Sequence, residues 1–167
     1  MNLVSVIPDA PENEKLYYRD MELSKFQVYL YNVLIDAIDH NRLLLIPADI
    51  IPRRAGKSFV FEKISHERQL IVQKMSRLMR YMPDHTEVIM RGMSVRGMDG
   101  AEHVLVDECY NYEQLERTGV LTNNAVGVVS PRMPILQTDK SLEVIEDLRE
   151  YVLTLIETGE LQDVRDY

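Results

Sequence analysis

Ile51-Pro52-Arg53-Arg54-Ala55-Gly56-Lys57-Ser58-Phe59-Val60-Phe61 joins an apolar run, Leu43-Leu44-Leu45-Ile46-Pro47, to a segment with helical spacing. Gly-Lys-Ser between a strand and a helix has the form of the end of a phosphate-binding loop. The Gly lets the backbone come close to phosphates, the Lys supplies a point charge, and the Ser hydroxyl can ligate Mg²⁺. The usual loop also opens with a Gly, and here that position is Ile51. By average composition the tripeptide arises by chance in about one chain in ten of this length, so its surroundings decide its meaning.

Leu43 to Ile46 reads as a buried parallel strand; in the alternative, the strand continues through Ile50-Ile51 with Pro47 at a bulge. Upstream, Ser24-Lys25-Phe26-Gln27 matches a capping box. Leu23, Phe26, Leu30, Leu34 and Ile38 then carry a helix to about Asp39. Residues 1–22 show no sustained periodicity and read as an arm, with Leu3 to Ile7 as a short strand candidate. Downstream of Ser58, Phe61, Ile64, Ile71, Met75, Leu78 and Met82 hold a helical stripe to Met82-Pro83-Asp84, which Ser65-His66-Glu67 could divide in two. Glu87 to Met90 is strand-like, and Gly92, Gly97 and Gly100 mark a loop. His103 to Val106 reads as a second buried strand ending at Asp107-Glu108, followed by a short helix from Tyr110 to Arg117. Ala125 to Val129 is a third strand, ending at Ser130. A final helix spans 139–160, capped by Asp139 or Ser141, with Leu142, Ile145, Leu148, Val152 and Ile156 on one face.

This alternation predicts an α/β fold with a mainly parallel sheet flanked by helices and ligands at the strands' carboxyl ends. Lys57, Asp107 and Ser130 each follow an apolar run, which places all three at that edge. A chain of 167 residues accommodates one domain with a real core, here 23–167 behind the arm.

Composition narrows the classes. A hydrophobic fraction of 46% and a charged fraction of 28% are those of an ordinary globular protein. No apolar run is long enough to span a membrane, and the N-terminus lacks a basic signal-peptide start. A single cysteine, Cys109, excludes an internal disulfide and fits the cytoplasm; it reads as a small buried residue rather than a nucleophile. The four histidines lack zinc-ligand spacing, so no structural metal is expected. A net charge of −8 argues against general wrapping of nucleic acid, although the basic stretch from Arg53 to Arg96 leaves room for a local contact.

Val104-Leu105-Val106-Asp107-Glu108 adds a second motif. An Asp at the end of a buried strand can hold the Mg²⁺ that Ser58 also ligates, and the adjacent Glu108 can orient or deprotonate a water for in-line attack on a γ-phosphate. The plain reading is a buried strand followed by two solvated acids. Together with Gly56-Lys57-Ser58 it points to a nucleotide site.

Pro52-Arg53-Arg54-Ala55-Gly56-Lys57-Ser58 resembles the deviant Walker A loop of viral terminase large subunits, a family in which the leading Gly is often missing. Ser94-Val95-Arg96-Gly97 is similar to that family's Ser-x-Arg-Gly loop, and Val128-Val129-Ser130-Pro131-Arg132 to its coupling motif. Phe26-Gln27 is similar to the adenine-recognising Gln segment. The resemblance covers roughly residues 23–135. It implies a RecA-like P-loop NTPase of the additional-strand, catalytic-glutamate class, binding ATP and Mg²⁺ and coupling hydrolysis to movement of double-stranded DNA. Partners would be a homo-oligomeric ring or other packaging-complex subunits, in host cytoplasm.

The resemblance also implies roles. Lys57 and Gly56 would hold phosphate, Ser58 and Asp107 would hold Mg²⁺, Glu108 would be the base, and Arg53 or Arg54 would stabilise transition-state charge. Gln27 would contact adenine, against a reading in which it only completes the capping box. Ser130 and Arg132 would sense the γ-phosphate or meet DNA, against a plain strand end. Two departures stand out. Nothing after Pro134 could supply the family's nuclease domain, and the Lys57-to-Asp107 spacing is short. DNA cleavage is therefore not expected. The rival readings are a small P-loop nucleotide kinase and a degenerate, non-catalytic ATP-binding protein of a viral DNA-handling complex.

Overall fold

Ser24 starts the first helix as its capping box requires. Its hydroxyl accepts the Gln27 amide at 3.2 Å, and the Gln27 side chain accepts the Ser24 amide at 2.9 Å. The computed structural model describes residues 15–68, 70, 72–74, 87–88, 104–109, 125–130 and 138–162. In chain order the elements are β1 (Tyr17–Tyr18), β2 (Met21–Glu22), α1 (Lys25–Asp39), β3 (Leu44–Pro47), α2 (Lys57–Arg68), β4 (Val72–Lys74), β5 (Glu87–Val88), β6 (Val104–Cys109), β7 (Ala125–Val129) and α3 (Asp139–Glu157).

The five-stranded sheet runs β3-β7-β6-β4-β5. β3, β7, β6 and β4 are mutually parallel, and β5 joins the edge antiparallel to β4. The fold is thus α/β with a mainly parallel sheet flanked by helices. β7, late in the chain, lies between the strand that leads into the Gly-Lys-Ser loop and the strand that carries Asp107. Leu44, Leu45, Ile46, Val126, Val128 and Leu105 are fully or almost fully buried, as strands covered on both faces require. α1 packs against α2 and over β7, α2 reaches β6 and β4, and α3 packs on α1. One apolar cluster joins Phe26, Leu30 and Leu34 of α1 to Phe61 and Ile64 of α2 and to Leu148 and Val152 of α3. Among the described residues, no helix is long and apolar enough to cross a membrane.

Several expectations are revised. Within the predicted arm, Tyr17–Tyr18 and Met21–Glu22 form a hairpin whose turn residues Arg19 and Asp20 have φ of 51° and 62°. The strand at Leu3 to Ile7 lies outside the described residues. β3 stops at Pro47 instead of running on, because Ala48–Ile50 turns into a single 3-10 turn closed by the Ile51 amide on the Ala48 carbonyl at 3.2 Å. The long helical stripe after Ser58 breaks at Arg68. Val72–Lys74 is a strand paired in parallel with Leu105–Asp107, so sheet pairing overrides the helical spacing that Ile71 and Met75 suggested. β6 extends past Asp107 to Cys109. The last helix is capped by neither Asp139 nor Ser141. Thr138 accepts the Ser141 amide at 3.3 Å, while the Ser141 hydroxyl donates to the Leu43 carbonyl at 2.8 Å. Its buried face consists of Val144, Ile145, Leu148, Val152 and Leu155, and Leu142 is exposed. Ser94 to Gly97, Arg132 and the helix predicted at Tyr110 to Arg117 lie outside the described residues.

Candidate functional site

Lys57 is the first residue of α2, where a lone cation would oppose the helix dipole. Its ammonium is 2.8 Å from Oδ1 of Asp107, and the Ser58 hydroxyl donates to Oδ2 of the same carboxylate at 2.7 Å. Asp107 has no solvent exposure, and the Lys57 side chain is 19% exposed. One buried acid therefore serves both neighbours, and it supplies the anion that the helix start lacks.

The strand geometry explains how Asp107 comes to be there. Val106 pairs with Gly127 and Cys109 with Val129, so three steps along β6 answer two along β7, and the irregularity falls at Asp107-Glu108. A bulge re-aims side chains at the end of a strand, and in a parallel pair it is uncommon. Gly127 suits the close approach of these strands, since a Cβ there would collide with the Val106 carbonyl. Glu108 follows on β6, but its side chain lies outside the described part.

The loop before α2 uses left-handed backbone twice, at Arg54 (φ 61°) and Gly56 (φ 86°). Arg53 and Arg54 are exposed, while Ile51, Pro52 and Ala55 are buried and anchor the loop on the core. Gln27 reaches the loop from α1, its Nε2 donating to the Gly56 carbonyl at 3.2 Å. Ser130, at the end of β7, is half-buried.

The hairpin braces the same helix from outside. Tyr18 packs edge-on against Phe59 with ring centroids 5.0 Å apart, and its hydroxyl donates to Glu62 at 3.3 Å. Burial, followed by the negative charge of Glu62, raises the Tyr18 pKa. Arg19 also pairs with Glu62. The Lys63 ammonium donates to the Tyr17 carbonyl at 3.0 Å and pairs with Glu67 at 3.3 Å. Arg68 pairs with Asp39 at 2.8 Å. Among the described residues of the basic stretch, Lys57, Lys63 and Arg68 are thus engaged in internal pairs.

The structure brings Asp107 onto the adjacent Lys57 and Ser58, and Gln27 meets the same loop at the Gly56 carbonyl. The capping box fixes where Gln27 sits on α1 and what its Oε1 meets, but the bond from Nε2 to the loop carries no sequence signal. Among the described residues there is no group of three or more His, Cys, Asp or Glu side chains able to hold a metal. The donors present suit a different kind of site. Asp107 and Ser58 could hold Mg²⁺ only with the rest of its shell supplied by phosphate and water, since Mg²⁺ commonly takes one or two carboxylates, and both Asp107 oxygens are here engaged by Lys57 and Ser58. No protein-family model matches the chain, and no curated protein or solved structure is significantly similar to it.

Proposed function

We propose that this chain is a Mg²⁺-dependent ATPase of the P-loop, additional-strand class, resembling a terminase motor domain. The observation that carries the reading is the convergence of Lys57 and Ser58 on the single buried carboxylate of Asp107. That constellation, at the carboxyl end of a parallel sheet and the N-terminus of a helix, is where phosphates bind in α/β proteins. The strand order adds support, because β7 between β3 and β6 is an additional strand between loop and acid. Left-handed backbone at Arg54 and Gly56 belongs to the conformations that build anion-binding nests.

On this reading a triphosphate displaces Asp107 from Lys57. The ammonium then holds the β- and γ-phosphates, while Ser58 and Asp107 are left as the protein ligands of the cation. Mg²⁺, when bound, supplies charge neutralisation on the phosphates. Glu108 orients the attacking water and takes its proton. Exposed Arg53 or Arg54 meets charge on the transferred phosphoryl group or on a neighbouring subunit. Coupling to double-stranded DNA rests on the sequence resemblance alone.

The test is Mg²⁺-dependent ATP hydrolysis by wild type and Glu108→Gln, with and without duplex DNA. The expected result is turnover by wild type and retained ATP with at least about a hundredfold slower turnover for Glu108→Gln. Transfer of phosphate to a nucleotide acceptor would favour the kinase reading, and binding without turnover the degenerate one. A wild type that neither binds nor hydrolyses ATP overturns the proposal.

A further inference from the structure

Gln27 ties α1 to the Gly-Lys-Ser loop. Its carboxamide is used at both ends: Oε1 accepts the Ser24 amide at 2.9 Å, and Nε2 donates to the Gly56 carbonyl at 3.2 Å. Only this orientation of the amide matches both partners, because one supplies a proton and the other a lone pair. Gly56 is shaped for the contact in return. A Cβ at Gly56 would collide with Nε2 of Gln27, so the amide fills the space that the glycine leaves.

A Gln recognises adenine by offering one donor and one acceptor together to N7 and the N6 amino group. Here the same two atoms fix the plane of the carboxamide between a helix cap and the loop backbone. Each atom keeps one further lone pair or hydrogen, so a base could be met only in that same plane; turning the carboxamide out of it would sacrifice both bonds, including half of the capping box. The geometry points to Gln27 as a positioning residue that holds the loop's glycine to α1, its plane set by that role and not by adenine, at a site that takes nucleoside triphosphates through their phosphates. This rests on the nucleotide-binding reading for its consequence, although the latch itself exists without ligand.

Gln27→Glu separates the two roles, because a carboxylate still accepts the Ser24 amide but has no proton for the Gly56 carbonyl. Ser24→Ala removes the hydroxyl cap and leaves the donor to Gly56 in place. Hydrogen exchange on the nucleotide-free protein reads the latch directly. Gln27→Glu is expected to speed exchange at loop amides 54–58 by about tenfold, with α1 unchanged, the scale of one lost hydrogen bond. Ser24→Ala is expected to loosen the start of α1 without reproducing that effect. In titrations with Mg·ATP and Mg·GTP, Gln27→Glu is expected to weaken both by the same factor of about three to ten, leaving their ratio at the wild-type value. Unchanged loop exchange, equal loop exchange in Ser24→Ala, or loss of ATP with GTP untouched would each overturn the proposal. If wild type binds neither nucleotide, the ATPase reading fails, while the exchange data still decide whether Gln27 latches the loop.

Discussion

The Lys57 ammonium lies 2.8 Å from a carboxylate fifty residues further along the chain, Asp107, which is sealed from solvent. The two ends of this pair are not equivalent. Truncating Lys57 leaves a buried charge held by the Ser58 hydroxyl, whereas truncating Asp107 leaves an amine whose long stem can turn its head towards water. Urea denaturation of the ligand-free protein is expected to show Lys57→Ala destabilised by about 2–4 kcal/mol and Asp107→Ala by about 1–2 kcal/mol. Equal losses would mean that the pair is better solvated than its geometry indicates.

Two glycines share left-handed backbone but differ in surroundings. Gly56 has φ of 86° and the Gln27 amide against the position of a Cβ, while at Gly159, with φ of 79° after α3, a Cβ would meet no atom of the described residues beyond its chain neighbours. Gly159→Ala is expected to cost about 1 kcal/mol, from the conformation alone. Gly56→Ala is expected to cost about 2 kcal/mol or more, since it also displaces Gln27. Thermal denaturation of the two variants side by side checks the difference.

Tyr29 of α1 stacks on Tyr151 of α3, with ring centroids 4.2 Å apart and planes 15° from parallel. Its hydroxyl is buried without a hydrogen-bond partner among the described residues, and burial raises its pKa strongly. Tyr29→Phe keeps the stack and removes the unsatisfied group. It is expected to stabilise the fold by about 1 kcal/mol, or roughly 2–4 °C in Tm. A Tm lowered by a similar amount would show that the hydroxyl has a partner.

The first half of the chain was legible because its signals are local. A capping box, an apolar run and Gly-Lys-Ser each act within a few residues, and α1, β3 and the start of α2 follow from them. Ser65-His66-Glu67 marks a possible division close to the break after Arg68, but the strand beyond it is not legible. Val72–Lys74 becomes a strand only by pairing with Leu105–Asp107, and helical spacing through Ile71 and Met75 conceals that. The cap of α3 failed for a related reason. Asp139 and Ser141 are as good cap types as Thr138, and Ser141 is drawn instead to the Leu43 carbonyl across the fold. At the site, residue types marked Lys57, Ser58 and Asp107, but the bulge at Asp107-Glu108 and the grip of Gln27 on Gly56 are tertiary facts.

Acid dependence follows from Asp147 on α3. Burial, then Glu143 and Glu150, raise its pKa, and Lys140 works against them. The folded state therefore holds a proton more readily than the unfolded chain does. The stability that this proton linkage contributes is fully present below the ordinary value of 3.8 and is lost as pH rises through the folded value. Asp147→Asn is expected to raise Tm at neutral pH by roughly 1–2 °C, the effect being small because the group is partly solvated. The difference from wild type should close as pH falls below 3.8. A gap that stays constant with pH would exclude the charge as its cause.

The central claim is that Lys57, Ser58 and Asp107 form a triphosphate site. Its most direct test is equilibrium titration of the wild type and Lys57→Gln with Mg·ATP, after confirming that the variant is folded. The expected result is saturable binding by wild type, weakened at least about thirtyfold in Lys57→Gln through loss of the charge-assisted phosphate contact. No binding by wild type, or equal affinity in the folded variant, would contradict it.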